Sequence, residues 1–108
     1  MSIIKWDEDG YPTEESLEKL EYVLKGNDIR KAMEAFYSAL KENYYTYDGF
    51  VGITEVDVRG EMTKVWQYHT GGWSGNEDII GILHQSILWS LLIERYDKGG
   101  HYYFKIKK

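Results

Sequence analysis

Within nine residues, His69-Thr70-Gly71-Gly72-Trp73-Ser74-Gly75-Asn76-Glu77 brings together an imidazole, hydroxyl and amide side chains, an indole, a carboxylate and three glycines. Glycines let a backbone approach a ligand closely. Where such a loop opens a helix, unsatisfied N–H groups and the positive end of the helix dipole suit a phosphate or carboxylate. Trp73 offers a face on which a base or ring can stack. His69, Asn76 and Glu77 supply directional polar contacts, with Thr70 and Ser74 beside them. The loop has no Gly-Lys-Ser/Thr and no Gly-x-Gly-x-x-Gly, so it is neither a Walker A loop nor a dinucleotide fingerprint. Its plainer reading is a tight turn that starts a buried helix.

A second cluster is Lys98-Gly99-Gly100-His101-Tyr102-Tyr103. It reads either as a helix stop followed by an edge strand or as a second polar, glycine-flanked contact for the same ligand. If both clusters lie at one end of a sheet, His69 and His101 face one pocket. They then become candidates for the acid and base of phosphodiester cleavage. The His-x-Thr repeats of two-histidine phosphoesterases are absent. No metal or cofactor is expected: His84 stands alone on its helix, and there is no His-Glu-x-x-His, no Asp-rich loop and no cysteine. Tyr44, Tyr45 and Tyr47 either line a groove or pack a helix end under a sheet.

The elements that must position these residues follow from local signals. Thr13 reads as an N-cap, with Pro12 before it and Glu14 and Glu15 in the first turn. Leu17, Leu20 and Leu24 then recur at helical spacing, and Gly26 closes the helix as a left-handed cap. Asn27 or Asp28 caps a second helix whose apolar face is Ile29, Met33, Phe36 and Leu40. Two helices so joined form an αα-hairpin. Phe50–Val58 and Met62–Thr70 read as strands around an Arg59-Gly60-Glu61 turn. Ser74 and Glu77 match a capping box and start a third helix that runs to about Tyr96, with Arg95 and Lys98 at its end. Gly99-Gly100 stops it, and His101–Lys107 is the final strand. Tyr102, Phe104 and Ile106 share one face of that strand, His101, Tyr103 and Lys105 the other. A short strand at Ile3–Trp6 is a further candidate. The order α-α-β-β-α-β implies an α+β fold with a small antiparallel or mixed sheet. Apolar residues from Ile79 to Ile93 cover most of the third helix, so it should be buried on two sides, which favours a homo-oligomer.

Composition narrows the functions. At 108 residues the chain is expected to be a single domain, 1–108. A net charge of −5 argues against non-specific nucleic-acid binding, which needs a positive footprint. That acidity belongs to residues 1–28, leaving the remainder neutral. It is either a solvated helix face or a surface for a basic partner. The acidic N-terminus is no signal peptide, and the apolar stretch Ile79–Ile93 is too short and polar to span a bilayer. A cytoplasmic protein with no membrane partner is expected. Aromatic content of 16% exceeds what a core of this size demands. Trp66, Trp89 and Phe104 are assigned to that core, and Trp73, His101 and Tyr103 to the ligand.

The pattern His69-Thr-Gly-Gly-Trp-Ser-Gly-Asn-Glu77, then Trp89, then Gly99-Gly-His-Tyr102 and Phe104, resembles a family of small bacteriophage-encoded proteins of unassigned activity. The resemblance covers roughly residues 62–106 and leaves the αα-hairpin outside. Where the family carries a basic pair before Gly-Gly-His, this chain has Asp97-Lys98, leaving Lys98 alone for a phosphate contact. A phage origin implies a host-cell cytoplasmic location and an accessory role against host defence.

Three functions are weighed. The first is a non-catalytic module holding a small phosphate-bearing, nucleotide-like ligand. Its site would comprise His69, Thr70, Gly71, Gly72, Trp73, Ser74, Asn76, Glu77, Lys98, Gly100, His101 and Tyr103. The second is a protein–protein inhibitor of a host factor acting through Glu14, Glu15, Glu18 and Glu21. The third is a phosphodiesterase using His69 and His101. The first is favoured.

Overall fold

The computed structural model describes residues 3–45 and 49–106. The chain is α+β, with four helices on one face of a four-stranded antiparallel sheet. Helix α1 spans Glu14–Lys25 and α2 Ile29–Leu40. Thr13 Oγ1 accepts from the Ser16 amide, and Asp28 accepts from the amides of Arg30 and Lys31, so both side chains cap as their types predict. Gly26 differs from expectation. Its φ of −73° and ψ of 169° are extended, and its N–H satisfies the Val23 carbonyl without a left-handed turn. Along α2 the expected apolar stripe holds for Phe36 and Leu40, which are fully buried, but Ile29 is 60% exposed.

Strands β1 (Val51–Val58) and β2 (Glu61–His69) form a hairpin. The turn is the two residues Arg59-Gly60 and not the expected three, because Glu61 already pairs with Val58; both turn residues have positive φ (52° and 87°), the twist that suits a tight hairpin. Asp57 accepts from the Gly60 amide at 2.8 Å and fixes the turn.

The third helix is shorter than its periodicity predicts. It divides into α3 (Ser74–His84) and α4 (Ile87–Leu92), and the chain then enters strand β3 (Ile93–Asp97). Ser86 causes the division: it leaves the helix in an extended conformation and its hydroxyl accepts from the Leu88 amide, recapping α4. Ile87 and Leu91 therefore turn outward, at 73% and 57% exposure, while Leu88 and Leu92 stay buried. The apolar residues thus belong to three elements and do not encircle one helix, which removes the ground for expecting a helix buried on two sides. Arg95 and Lys98 sit in a strand and a turn, and Gly99-Gly100 joins β3 to β4 (His101–Phe104) in place of stopping a helix. That strand is shorter than expected: it ends at Phe104, Lys105 and Ile106 lie beyond it with the Lys105 amide turned to the Leu92 carbonyl, and Lys107 lies outside the described residues. The capping box is also replaced. Trp73 is the N-cap of α3 and makes no side-chain cap bond, while Ser74 is the first helical residue. The candidate N-terminal strand reduces to one bridge, Trp6 with Pro12.

The sheet order is β1-β2-β4-β3. Its helix-side face contributes Tyr68 and Phe104, with Trp66 and Tyr102, to a core shared with Leu20, Phe36, Ile79, Leu83 and Leu88. Trp89 packs edge-on against Phe104 at 5.2 Å. The opposite face is curled. Arg95 of β3 donates to the Asp57 carbonyl of β1 at 2.8 Å, and Arg59 meets Glu94 at 3.8 Å, so the two edge strands touch. Val58, Val65 and Tyr103 fill the inside of that curl. No helix of the described residues is long and apolar enough to cross a membrane.

Candidate functional site

Antiparallel register decides whether the two glycine segments meet. His69, the last residue of β2, pairs with His101, the first of β4. The next residue, Thr70, donates its amide to the Gly100 carbonyl at 3.0 Å. Both segments therefore lie at one end of the sheet. The fit is tight: a Cβ on Gly100 (φ +84°) would collide with Thr70 Oγ1, so only glycine lets the two turns touch here. Thr70 Oγ1 also accepts from the Gly72 amide at 3.3 Å, which shapes the loop from within.

On the face away from the helices the two imidazoles lie almost parallel, with ring centroids 3.7 Å apart and planes 10° from each other. Nδ1 of His69 donates to the Gly100 carbonyl at 3.2 Å, which leaves Nε2 without a role in that contact. The Phe50 ring stacks on His69 at 4.9 Å, and Tyr45 lies against Phe50 at 5.2 Å. The row continues from Tyr45 to Tyr44 at 5.3 Å, and Tyr44 stacks on Trp73 at 4.9 Å. Tyr11 then meets Trp73 at 4.9 Å. A continuous line of rings thus wraps the glycine loop, from Tyr11 to His101. Gly71 is part of the wrap, since a Cβ there would stand 2.7 Å from the Tyr45 ring. Tyr47, the third tyrosine of the run, lies outside the described residues.

The other residues read from the sequence are distributed differently. Trp73 donates its indole N–H to the Gly10 carbonyl at 2.6 Å, so it anchors the N-terminal segment as well as carrying two rings. Ser74 reaches the Tyr11 hydroxyl at 3.3 Å. Asn76 is fully buried and fully engaged: its amide nitrogen donates to Asn43 Oδ1 and to the Thr70 carbonyl, each at 2.9 Å, and its oxygen accepts from the Tyr44 amide at 2.8 Å. Asn43 in turn donates to the His69 carbonyl at 2.9 Å. Glu77 is exposed on the helix side, near enough to Tyr102 to add its charge to the burial that pushes that hydroxyl's pKa up. Tyr103 shares a face with His101, but it is buried inside the curl with Arg95 5.9 Å over its ring, and burial raises its pKa. Lys98 is exposed in the turn beside His101.

The inner set is therefore His69, Thr70, Gly71, Gly72, Lys98, Gly100 and His101, supported from behind by Asn43, Asn76 and Trp73. Sequence reading missed Tyr11, Asn43 and Phe50, whose roles arise only from long-range packing. No group of three or more His, Cys, Asp or Glu among the described residues is placed to hold a metal ion. The chain matches no family model, no curated protein and no solved structure.

Proposed function

We propose that this chain is a non-catalytic binding module that holds a small, phosphate-bearing, ring-containing ligand of nucleotide type. The ligand would lie where Gly71–Gly72 and Gly99–Gly100 meet. The observation that carries this reading is the pairing of His69 with His101, which joins the two glycine turns at one sheet end. Nε2 of His69 and the His101 imidazole are the directional contacts, Lys98 the cation for phosphate, and the exposed glycine backbone the close-approach surface. The row of stacked rings favours a planar ligand, since aromatic faces extend such rows readily.

The same geometry favours holding over cleaving. Acid–base cleavage of a phosphodiester needs one imidazole at the attacking oxygen and one at the leaving oxygen. Parallel rings 3.7 Å apart leave no room for a phosphate between them. In the setting the bacteriophage resemblance suggests, such a module would sequester a nucleotide signal of host defence.

The test is a thermal-shift screen against mono-, di- and cyclic oligonucleotides, followed by recovery of the ligand from heat-denatured protein. Ligand at a hundred times its Kd should add about 2.7 kcal/mol, roughly 10 °C or more for a domain of this size. The ligand should come back intact, and His101→Ala or Lys98→Ala should reduce the shift. A flat screen overturns the proposal. Cleaved ligand moves the assignment to a phosphodiesterase.

A further inference from the structure

A second surface lies at the far end of the same strands. It is an open trough of about 940 Å³ between the N-terminal half of α2 and the sheet end where β2 begins and β4 finishes. Its floor is apolar: Ile29, Met33, Tyr37, Leu92 and Ile106. Ile29 is 60% exposed there, and Met33 and Ile106 are half-buried beside it. Clustered apolar exposure of this kind marks an interaction surface rather than scattered surface residues. The floor is rigid, because Tyr37 donates to the Lys105 carbonyl at 2.7 Å and the Lys105 amide donates to Leu92 at 2.8 Å.

Charge identifies the occupant. Arg30, Lys64 and Lys105 stand on the rim, all exposed, and none is in an ion pair among the described residues. Of the two carboxylates there, Glu94 is held by Arg59, which leaves Glu34 against three cations. A cationic rim around an apolar floor is unexpected on a chain of net charge −5. Shape narrows the class further. The α2 wall runs from residue 29 to residue 37, about 12 Å at 1.5 Å per residue. That is the length over which a partner helix presents apolar side chains at i, i+3 or i+4, and i+7. A trough this open covers one side of its occupant, which suits a helix face better than a small molecule that must be enclosed.

We infer that this trough docks an acidic amphipathic helix of a partner protein. Docking there leaves the His69–His101 end free, so the two surfaces operate independently.

The probe is a labelled designed peptide of about 20 residues, long enough to hold helix, with leucines on one face and glutamates elsewhere. Its counterpart carries lysines in place of the glutamates. Binding to the full chain is read by fluorescence anisotropy at low salt. The glutamate peptide should bind at least tenfold more tightly than the lysine peptide. Ile29→Ser should weaken it, and the triple variant R30E/K64E/K105E should reverse the preference. All four positions are exposed, and unchanged thermal melts confirm intact folding. Equal affinity for the two peptides, failure of the preference to reverse, or no binding of the glutamate peptide overturns the inference. Binding of dodecanoate in preference to the glutamate peptide also overturns it and assigns the trough to a small anionic amphiphile.

Discussion

Asn76 is one residue with three partner atoms: two acceptors for its amide nitrogen and one amide for its oxygen, with Thr70 and Asn43 each tied onward to the sheet end. No buried side-chain nitrogen or oxygen among the described residues lacks a partner, and here that completeness has a purpose. The network fixes the segment after α2, the glycine loop and the start of α3 to one another. Asn76→Asp keeps the shape but replaces a donor with an acceptor facing two acceptors. A buried polar group so mismatched costs about 2–5 kcal/mol. Urea unfolding should show a lower midpoint with an unchanged slope, and the loss should exceed that of Ser74→Ala, whose hydroxyl is exposed. An Asn76→Asp midpoint equal to that of the parent chain would remove the network from the account of how the site is held.

At the scale of elements, local chemistry was legible and tertiary chemistry was not. Thr13, a cap at Asn27 or Asp28, and a turn at Arg59-Gly60-Glu61 announce themselves because their side chains or φ angles act within four residues, and the structure settles the second on Asp28 and shortens the third to Arg59-Gly60. The run from Ile79 to Asp97 does not. Its apolar periodicity continues through Ser86, and nothing before Ile93 signals a strand. β3 exists because β4 pairs with it, a fact no local window contains. The candidate site divides the same way. Its glycines and histidines were legible as two separate clusters whose meeting only the β2–β4 register decides, whereas Asn76 and Trp73 were expected at a ligand and are committed to the scaffold. Ser86 supplies a direct check on the division between α3 and α4. Ser86→Ala removes the hydroxyl that accepts from the Leu88 amide and should cost about 1 kcal/mol. Hydrogen exchange should accelerate in α4 and β3 and leave α1 unchanged. Uniform acceleration across all helices would indicate that the break is not set by this cap.

For the whole molecule, pH is the clearest lever. Tyr68 is fully buried and donates to the Glu42 carbonyl at 2.7 Å, and Tyr37 donates to Lys105. Burial pushes both hydroxyls above their ordinary pKa, with the Glu42 charge adding to the effect at Tyr68. The unfolded chain loses these protons near pH 10, whereas the folded chain keeps them. Above that pH the native state binds more protons than the unfolded state, so stability falls as pH rises. Below it the two states bind the same number and these groups contribute no slope. Thermal melts should therefore be flat in this respect up to about pH 9 and decline beyond pH 10. Tyr68→Phe should lessen that decline while costing about 1–3 kcal/mol at neutral pH, because the Glu42 carbonyl loses its donor. An undiminished decline in the variant would place its origin elsewhere.

The position of β4 has a consequence for how the fold closes. It is the last strand along the chain, yet it lies between β2 and β3, and it carries Phe104, on which Phe36 and Trp89 rest. The αα-hairpin and the β1–β2 hairpin, both built from neighbours in sequence, precede this strand along the chain. Without this strand Phe36 lacks the Phe104 ring, β3 has no neighbour, and the two glycine turns cannot touch. Docking of β4 between β2 and β3 therefore closes the sheet and joins the two glycine turns in the same step.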